Sequence, residues 1–235
     1  MATLYVVATP IGNLEDISKR ALEILQKVDL VLAEDTRVAG KLLSSYGIKT
    51  KLESYHQHSD DNKKFKILSM LMEGKDIALV SDAGTPGTSD PGNELVDFIY
   101  ANSNVIPAPA SPRGEQAGIQ ILPIPGPSAV STALSVCGFN VSKYMFIGFW
   151  PKKKKSKIIK TLQNISVPFV YFDSPHRVIK NLEAILDELG GDKRVFVGRE
   201  LTKMHETHYR GNISKVISKL KAEKHLKGEI VVVVE

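Results

Sequence analysis

Two α/β domains, the first on a mostly parallel sheet and the second on a mixed one, are predicted by three features of this chain. Short apolar runs alternate with stretches of helical spacing through the first half. Those runs are continuously apolar rather than alternating, as strands covered on both faces are. After the punctuation "PIPGPS" the order of elements changes. With 235 residues, 43% of them hydrophobic, the chain can bury one large core or two smaller ones. The break at "PGPS" suggests domains of about 1–126 and 127–235.

The elements follow in order. Residues 4–8 are β-rich, and "TPIGN" stops them. Over 17–28 the apolar residues Ile17, Ala21, Ile24, Leu25 and Val28 share one helical face. Residues 30–33 form a strand that ends in "EDTR". Helices are predicted over 38–46 and 63–73, ended by Gly47 and Gly74. A strand at 77–80 runs into "SDAGTPGTSDPG", a helix follows at 93–101, and a strand at 120–124 ends in "PGPS" before a helix at 128–136. The second half reads as strands at 145–149, 169–172, 194–197 and 229–234, with helices between, notably 178–189. Residues 103–117 contain "VIPAPASP", which resembles "ILPIPGPS" further on, and read as a surface insertion.

Several function classes are excluded early. No run of eighteen apolar residues exists, so no membrane helix is predicted, and the N-terminus lacks the basic start of a signal peptide. Cys137 is the single cysteine, which rules out a disulfide framework and fits a reducing, cytoplasmic setting. The formal charge of +5 is compatible with nucleic acid without demanding it. No phosphate-binding P-loop occurs, and "TPIGN" stands where a dinucleotide fingerprint would be. "HETH" lacks zincin spacing and no cysteine cluster accompanies it, so no metal site is expected.

In a parallel sheet, ligands sit beyond the carboxyl ends of the strands. "ATPIGN", "EDTR", "SDAGTPGTSDPG" and "PGPSA" would all lie there. The third of these has no lysine or arginine, and its Asp82 and Asp90 would repel a pyrophosphate. The same loop suits a cation with ribose hydroxyls, and Gly84 and Gly87 would let backbone approach it closely. S-adenosylmethionine has those features. Further on, "SPHR" (His176, Arg177) and "RELTK" (Arg199, Glu200, Lys203), then Glu206, place charge past two strand ends. They read as salt bridges or as a cleft for a polyanion, with a Lys or Glu to accept a proton. The run Lys152, Lys153, Lys154 and Lys155 reads as a solvated loop tip or as a phosphate-contacting loop.

Taken in order, "TPIGNLEDI", "AEDTR", "LVSDAGTPGTSDPG", "PIPGPSA", "GFWPKKK", "YFDSPHR", "RELTK" and "KGEIVVVVE" resemble the ribosomal RNA small subunit methyltransferase I family, of the tetrapyrrole methylase superfamily, over almost the whole chain. The resemblance implies a two-domain homodimer that holds S-adenosylmethionine between its domains. It also implies methylation of a cytidine ribose 2′-oxygen in the decoding region of 16S RNA. By the same resemblance Pro10, Asp82, Ala83, Gly84, Asp90, Ser128 and Ala129 would line the cofactor pocket from the first domain, and Phe172, Leu201 and Gly228 from the second. Asn13, Arg37, Arg177, Arg199, Glu200, Lys203 and Glu206 would face the RNA or the reacting ribose. The base would be Lys203, if neighbouring cations and burial depress its pKa, or Glu206 or Glu200, with Arg37 and Arg177 as clamps. Three departures stand out: no helical tail follows Glu235, Gly87 and Thr88 replace bulkier residues, and 103–117 has no counterpart. Two other readings stay open: a porphyrinoid methylase of the same superfamily, and a catalytically silent RNA-binding protein.

Overall fold

The computed structural model describes every residue except 1, 58, 91, 104–117, 154 and 191–192, and the side chains of 155 and 156. The chain divides into two compact units, Met1–Ser128 and Ala129–Glu235.

The first unit has five strands: β1 (Ala2–Val7), β2 (Leu30–Ala33), β3 (Leu52–Ser54), β4 (Ile77–Val80) and β5 (Ile119–Ile124). They run β3-β2-β4-β1-β5, and each neighbouring pair is parallel. Leu30, Leu32, Ile77 and Leu79 face one side and pack with α3 (Asp61–Met72) and α4 (Asn93–Asn102). Val31, Ala33, Ala78 and Val80 face the other and pack with α1 (Lys19–Lys27) and α2 (Thr36–Ser45). Burial on both faces is why these strands are apolar at every position. Helix starts are set by side-chain caps: Ser18, Asp35 and Asp60 accept from the backbone N–H of Ala21, Arg37 and Lys63. Asp35 thereby starts α2 two residues before the predicted 38. The chain leaves β2 for α2 on one face and leaves its neighbour β4 for α4 on the other. That reversal opens a crevice at the carboxyl ends of β2 and β4.

The second unit has strands β6 (Met145–Phe149), β7 (Phe169–Asp173), β8 (Arg194–Arg199), β9 (Thr207–Asn212) and β10 (Ile230–Val234), in the order β6-β7-β10-β8-β9. β6 and β7 are parallel, β10 is antiparallel to both β7 and β8, and β9 is antiparallel to β8, giving a mixed sheet. Helices α6 (Lys155–Gln163), α7 (Val178–Leu189) and α8 (Ile213–Ala222) cover one face, and α5 (Ala129–Val136) packs on the other.

Two strands escaped the sequence reading. β3 has three half-buried residues, and β9 buries only Tyr209 among polar neighbours on a sheet edge. Of the suspected insertion, Ser103 is described, its Oγ donating to Ile99 O at 2.6 Å at the end of α4. Residues 104–117 lie outside the described residues.

Leu32 and Ile185 are both fully buried, one in each unit. Replacing either with alanine should remove about 2–5 kcal/mol of stability, read as a lowered midpoint in urea unfolding.

Candidate active site

Four strand ends of the first unit are laced together. Thr9 N–H donates to Gly84 O at 2.9 Å, and Gly84 N–H returns to Thr9 O at 3.0 Å. Thr9 Oγ1 donates to Ser81 O at 3.3 Å, and Ala8 N–H to Ile124 O at 3.1 Å. Thr85 Oγ1 reaches Pro127 O at 3.4 Å, and Asp35 N–H donates to Asp82 Oδ1 at 3.1 Å. The loops after β1, β2, β4 and β5 therefore form one connected rim. Gly84 sits at φ +80° and Gly87 at +83°, where an L side chain is strained. The Asn93 carboxamide occupies the space a Cβ on Gly87 would need, and its Nδ2 donates to Gly87 O at 2.8 Å. Pro10, Asp82, Ala83, Gly84, Asp90 and Ser128 all belong to this rim, with Pro10 and Gly84 buried and Asp82 exposed.

The rim is electrostatically frustrated. Burial, then the charge of Glu34, pushes the Asp90 carboxyl up from 3.8 to about 6; a hydrogen bond from Ser81 opposes this and Asp82 adds to it. Glu34 is raised too, by burial first and then by Asp82. Asp35 goes the other way, to about 2, because the Arg37 side chain hydrogen-bonds it. Arg37 is thus occupied by Asp35 at 2.6 Å, with its side chain 87% exposed. Three carboxylates, Glu34, Asp82 and Asp90, remain crowded together. That donor set fits a cationic ligand with hydroxyls and opposes a polyphosphate.

In the second unit the charged residues also gather at one sheet edge. Asp173, Ile230, Arg199 and Thr207 stand in register across β7, β10, β8 and β9. Lys203 Nζ donates to Glu200 Oε1 at 2.9 Å and Glu229 Oε2 at 3.0 Å, and Glu229 N–H donates to Glu200 Oε1 at 2.8 Å. Burial alone would lower the Lys203 pKa, but these two carboxylates outweigh it and hold it above its ordinary value. The condition attached to Lys203 as a base, a depressed pKa, is therefore not met: its near neighbours are anions rather than cations. Burial likewise opposes ionisation of Glu200, yet its bonds from Glu229 N–H and Lys203 keep its pKa below the usual value. Glu206 Oε2 accepts from Thr202 N–H at 2.6 Å, and its Oε1 lies 2.7 Å from His208 Nε2.

This turn is built on strained backbone. Glu200 and Thr202 have φ of +52° and +67°, and Gly228, at +96°, leaves room for the Glu200 carboxylate, which a Cβ would strike. Leu201 between them is buried in the core with Phe196 and Val231, and the half-buried Ala129 packs against that core. Phe172 is half-buried between Phe146 and Phe149.

The remaining predicted contacts are variously engaged. Arg177 donates from Nε to Ser174 Oγ at 3.1 Å and lies 3.6 Å from the buried Asp173, while its Nη1 is buried without a hydrogen-bond partner. Arg199 spends Nη1 on Lys227 O at 3.2 Å and Nη2 on Thr207 Oγ1 at 3.0 Å. Asn13 accepts from Glu15 N–H at 3.1 Å, capping a short 3-10 turn. Lys152 and Lys153 are exposed, and Lys154 lies outside the described residues. Asp173, Glu229 and His208 were missed as site residues; their signal was position, just at strand ends in "YFDSPHR", "KGE" and "HETH". Among the described residues, no three His, Cys, Asp or Glu side chains group as metal ligands, and no helix is long and apolar enough to cross a membrane.

Comparison with known proteins adds to this geometry. Residues 3–217 match the family described as Tetrapyrrole (Corrin/Porphyrin) Methylases. The ribosomal RNA small subunit methyltransferase I of Thermotoga maritima is 43% identical over 234 residues, 99% of this chain and 98% of that protein. The protein of that name from Escherichia coli O157:H7 is 41% identical over 99% of this chain and 77% of its own length. Among solved structures, a cobalt precorrin-4 methyltransferase superposes with a TM-score of 0.68 at 16% identity, covering 98% of this chain and 94% of that one. A diphthine synthase superposes at 0.66 with 14% identity, covering 100% and 90%. At such identities the structures speak for the fold alone.

Asp90 should titrate near pH 6 in the folded protein. Between its ordinary value and that pH the folded chain keeps a proton that the unfolded chain releases. This group's contribution to stability is therefore present below about pH 4 and lost as pH rises through about 6. Carboxyl NMR titration checks this, and Glu34→Gln should bring the Asp90 midpoint down.

Proposed function

The chain belongs to the tetrapyrrole (corrin/porphyrin) methylase family, within its ribosomal RNA small subunit methyltransferase I group, and we propose that it methylates small-subunit ribosomal RNA from S-adenosylmethionine, at a cytidine ribose 2′-oxygen in the decoding region. The observation that carries the choice of donor is the lysine-free acidic rim of the first unit. The choice of RNA is supported by relatives above 40% identity that carry that name. The porphyrinoid enzymes are similar only at the level of fold. The same reading includes a cytoplasmic homodimer.

S-adenosylmethionine, when bound, supplies a methyl group on a cationic sulfur that departs as a neutral thioether, so no acid is needed to expel it. Asp82 and Asp90 offset that positive charge, Asp90 once it has lost its proton. Gly84 and Ala83 present backbone rather than side chain. Alignment of the ribose oxygen supplies much of the acceleration. The hydroxyl must lose a proton as it attacks, and a positioned base contributes about 10²–10⁴-fold. Glu206 is assigned that role: it is a carboxylate at the strand-end turn, and His208 beside it can pass the proton on. Lys203 acts as a cationic hydrogen-bond donor, kept protonated by Glu200 and Glu229. Asn13 and the exposed Arg37 in the first unit, and Arg177 and Arg199 in the second, face the RNA.

The test of function is mass-spectrometric mapping of ribose methylation in 16S RNA from cells with and without this protein. A decoding-region cytidine that loses its methyl group only in the deleted strain supports the reading; an unchanged map overturns it. Within the enzyme, Glu206→Gln should slow methylation by about 10²–10⁴-fold with donor affinity intact. Lys203→Ala should abolish methylation while donor binding survives, and full activity in that variant would remove Lys203 from the chemistry.

A further inference from the structure

One exposed aromatic ring in the second unit is held in place by a backbone irregularity. β6 is an edge strand. In a regular strand Phe146 and Phe149, three apart, would point to opposite faces. Here Phe146 stands opposite Val170 and Phe149 opposite Phe172, so three steps on β6 match two on β7. Gly148 supplies the extra residue at φ +76°. This bulge turns Phe149 back to the face of Phe146. Both rings then meet Phe172 edge-on, at 5.2 Å for Phe146 and 5.3 Å for Phe149. The next residue, Trp150, goes into the core at 1% exposure, while Phe149 stays 61% exposed.

A single exposed phenylalanine is ordinary on a protein surface. This one is re-aimed by a bulge, braced by a neighbouring ring, and followed after Trp150 and Pro151 by the exposed Lys152 and Lys153. Neither lysine is paired with a carboxylate among the described residues. An aromatic ring beside unpaired cations is the combination that binds single-stranded nucleic acid, the ring stacking a base and the cations holding its phosphates. A second copy of this chain, with its formal charge of +5, brings no net compensation to those lysines.

We propose that Phe149 is a stacking platform for an unpaired base of the RNA substrate, with Lys152 and Lys153 on the adjoining phosphates. The proposal rests on the RNA reading above and adds a residue that positions substrate.

The test uses the full chain and a fluorescein-labelled twelve-nucleotide oligouridylate, read by anisotropy. Phe149→Ala should weaken binding roughly 5- to 100-fold, the range of one stacked base, and Phe149→Trp should restore it. The salt slope should be unchanged in Phe149→Ala and should fall by about 1.4 when both lysines become alanine. Donor affinity by calorimetry and the thermal midpoint should stay near wild type in Phe149→Ala. Equal RNA binding by wild type and Phe149→Ala, or no binding by wild type, overturns the proposal. A loss of donor affinity would assign the ring to the donor, and a change of mass in light scattering would assign it to a protein interface; either also overturns it. Methylation of 16S RNA is scored separately, so failure of the platform and failure of the enzymatic reading are distinguishable.

Discussion

Glu34, Asp82 and Asp90 stand at one edge of the first unit, where burial and their like charge raise the pKa of Glu34 and Asp90. Parallel strands send every outgoing loop to the same edge, and the departure of β2 and β4 to opposite faces leaves a crevice there. Backbone hydrogen bonds between Thr9 and Gly84, and between Asp35 and Asp82, then fix the loops against each other. Ionising Asp90 there works against burial first and the charge of Glu34 second. A positively charged ligand would relieve that repulsion.

The second unit follows the opposite rule. At its strand ends the charges are matched: Lys203 lies between Glu200 and Glu229, Glu206 lies against His208, and Arg177 lies near the buried Asp173. Matched charges fix geometry, and at Lys203 they favour the protonated form. Lys203 is thereby set as a hydrogen-bond donor to Glu200 and Glu229. The positive φ angles at Glu200 and Thr202, with Gly228 beneath the carboxylate, show that backbone conformation is what brings these groups together.

Much of this was legible in the sequence because it depends on local pattern. Continuous apolar runs such as "LVLA" and "IALV" announce strands covered on both faces, and the absence of lysine from "SDAGTPGTSDPG" announces the character of the rim. What escaped depends on partners distant in the chain. β3 and β9 are edge strands whose polarity hides them, since only one face, or neither, is deeply buried. The protonation of Lys203 is set by Glu229, twenty-six residues away, which no local window reveals. The bulge at Gly148 looks in sequence like one more apolar residue run, and only the register against β7 shows where Phe149 points.

The rim's preference for a cation is the claim on which the account stands, and isothermal titration of S-adenosylmethionine across pH 5 to 7 tests it most directly. The account predicts measurable binding that tightens as Asp90 loses its proton, with S-adenosylhomocysteine, which lacks the sulfonium charge, showing a weaker dependence on pH. Binding that ignores both pH and the sulfonium charge, or a preference for a nucleoside triphosphate, would contradict it.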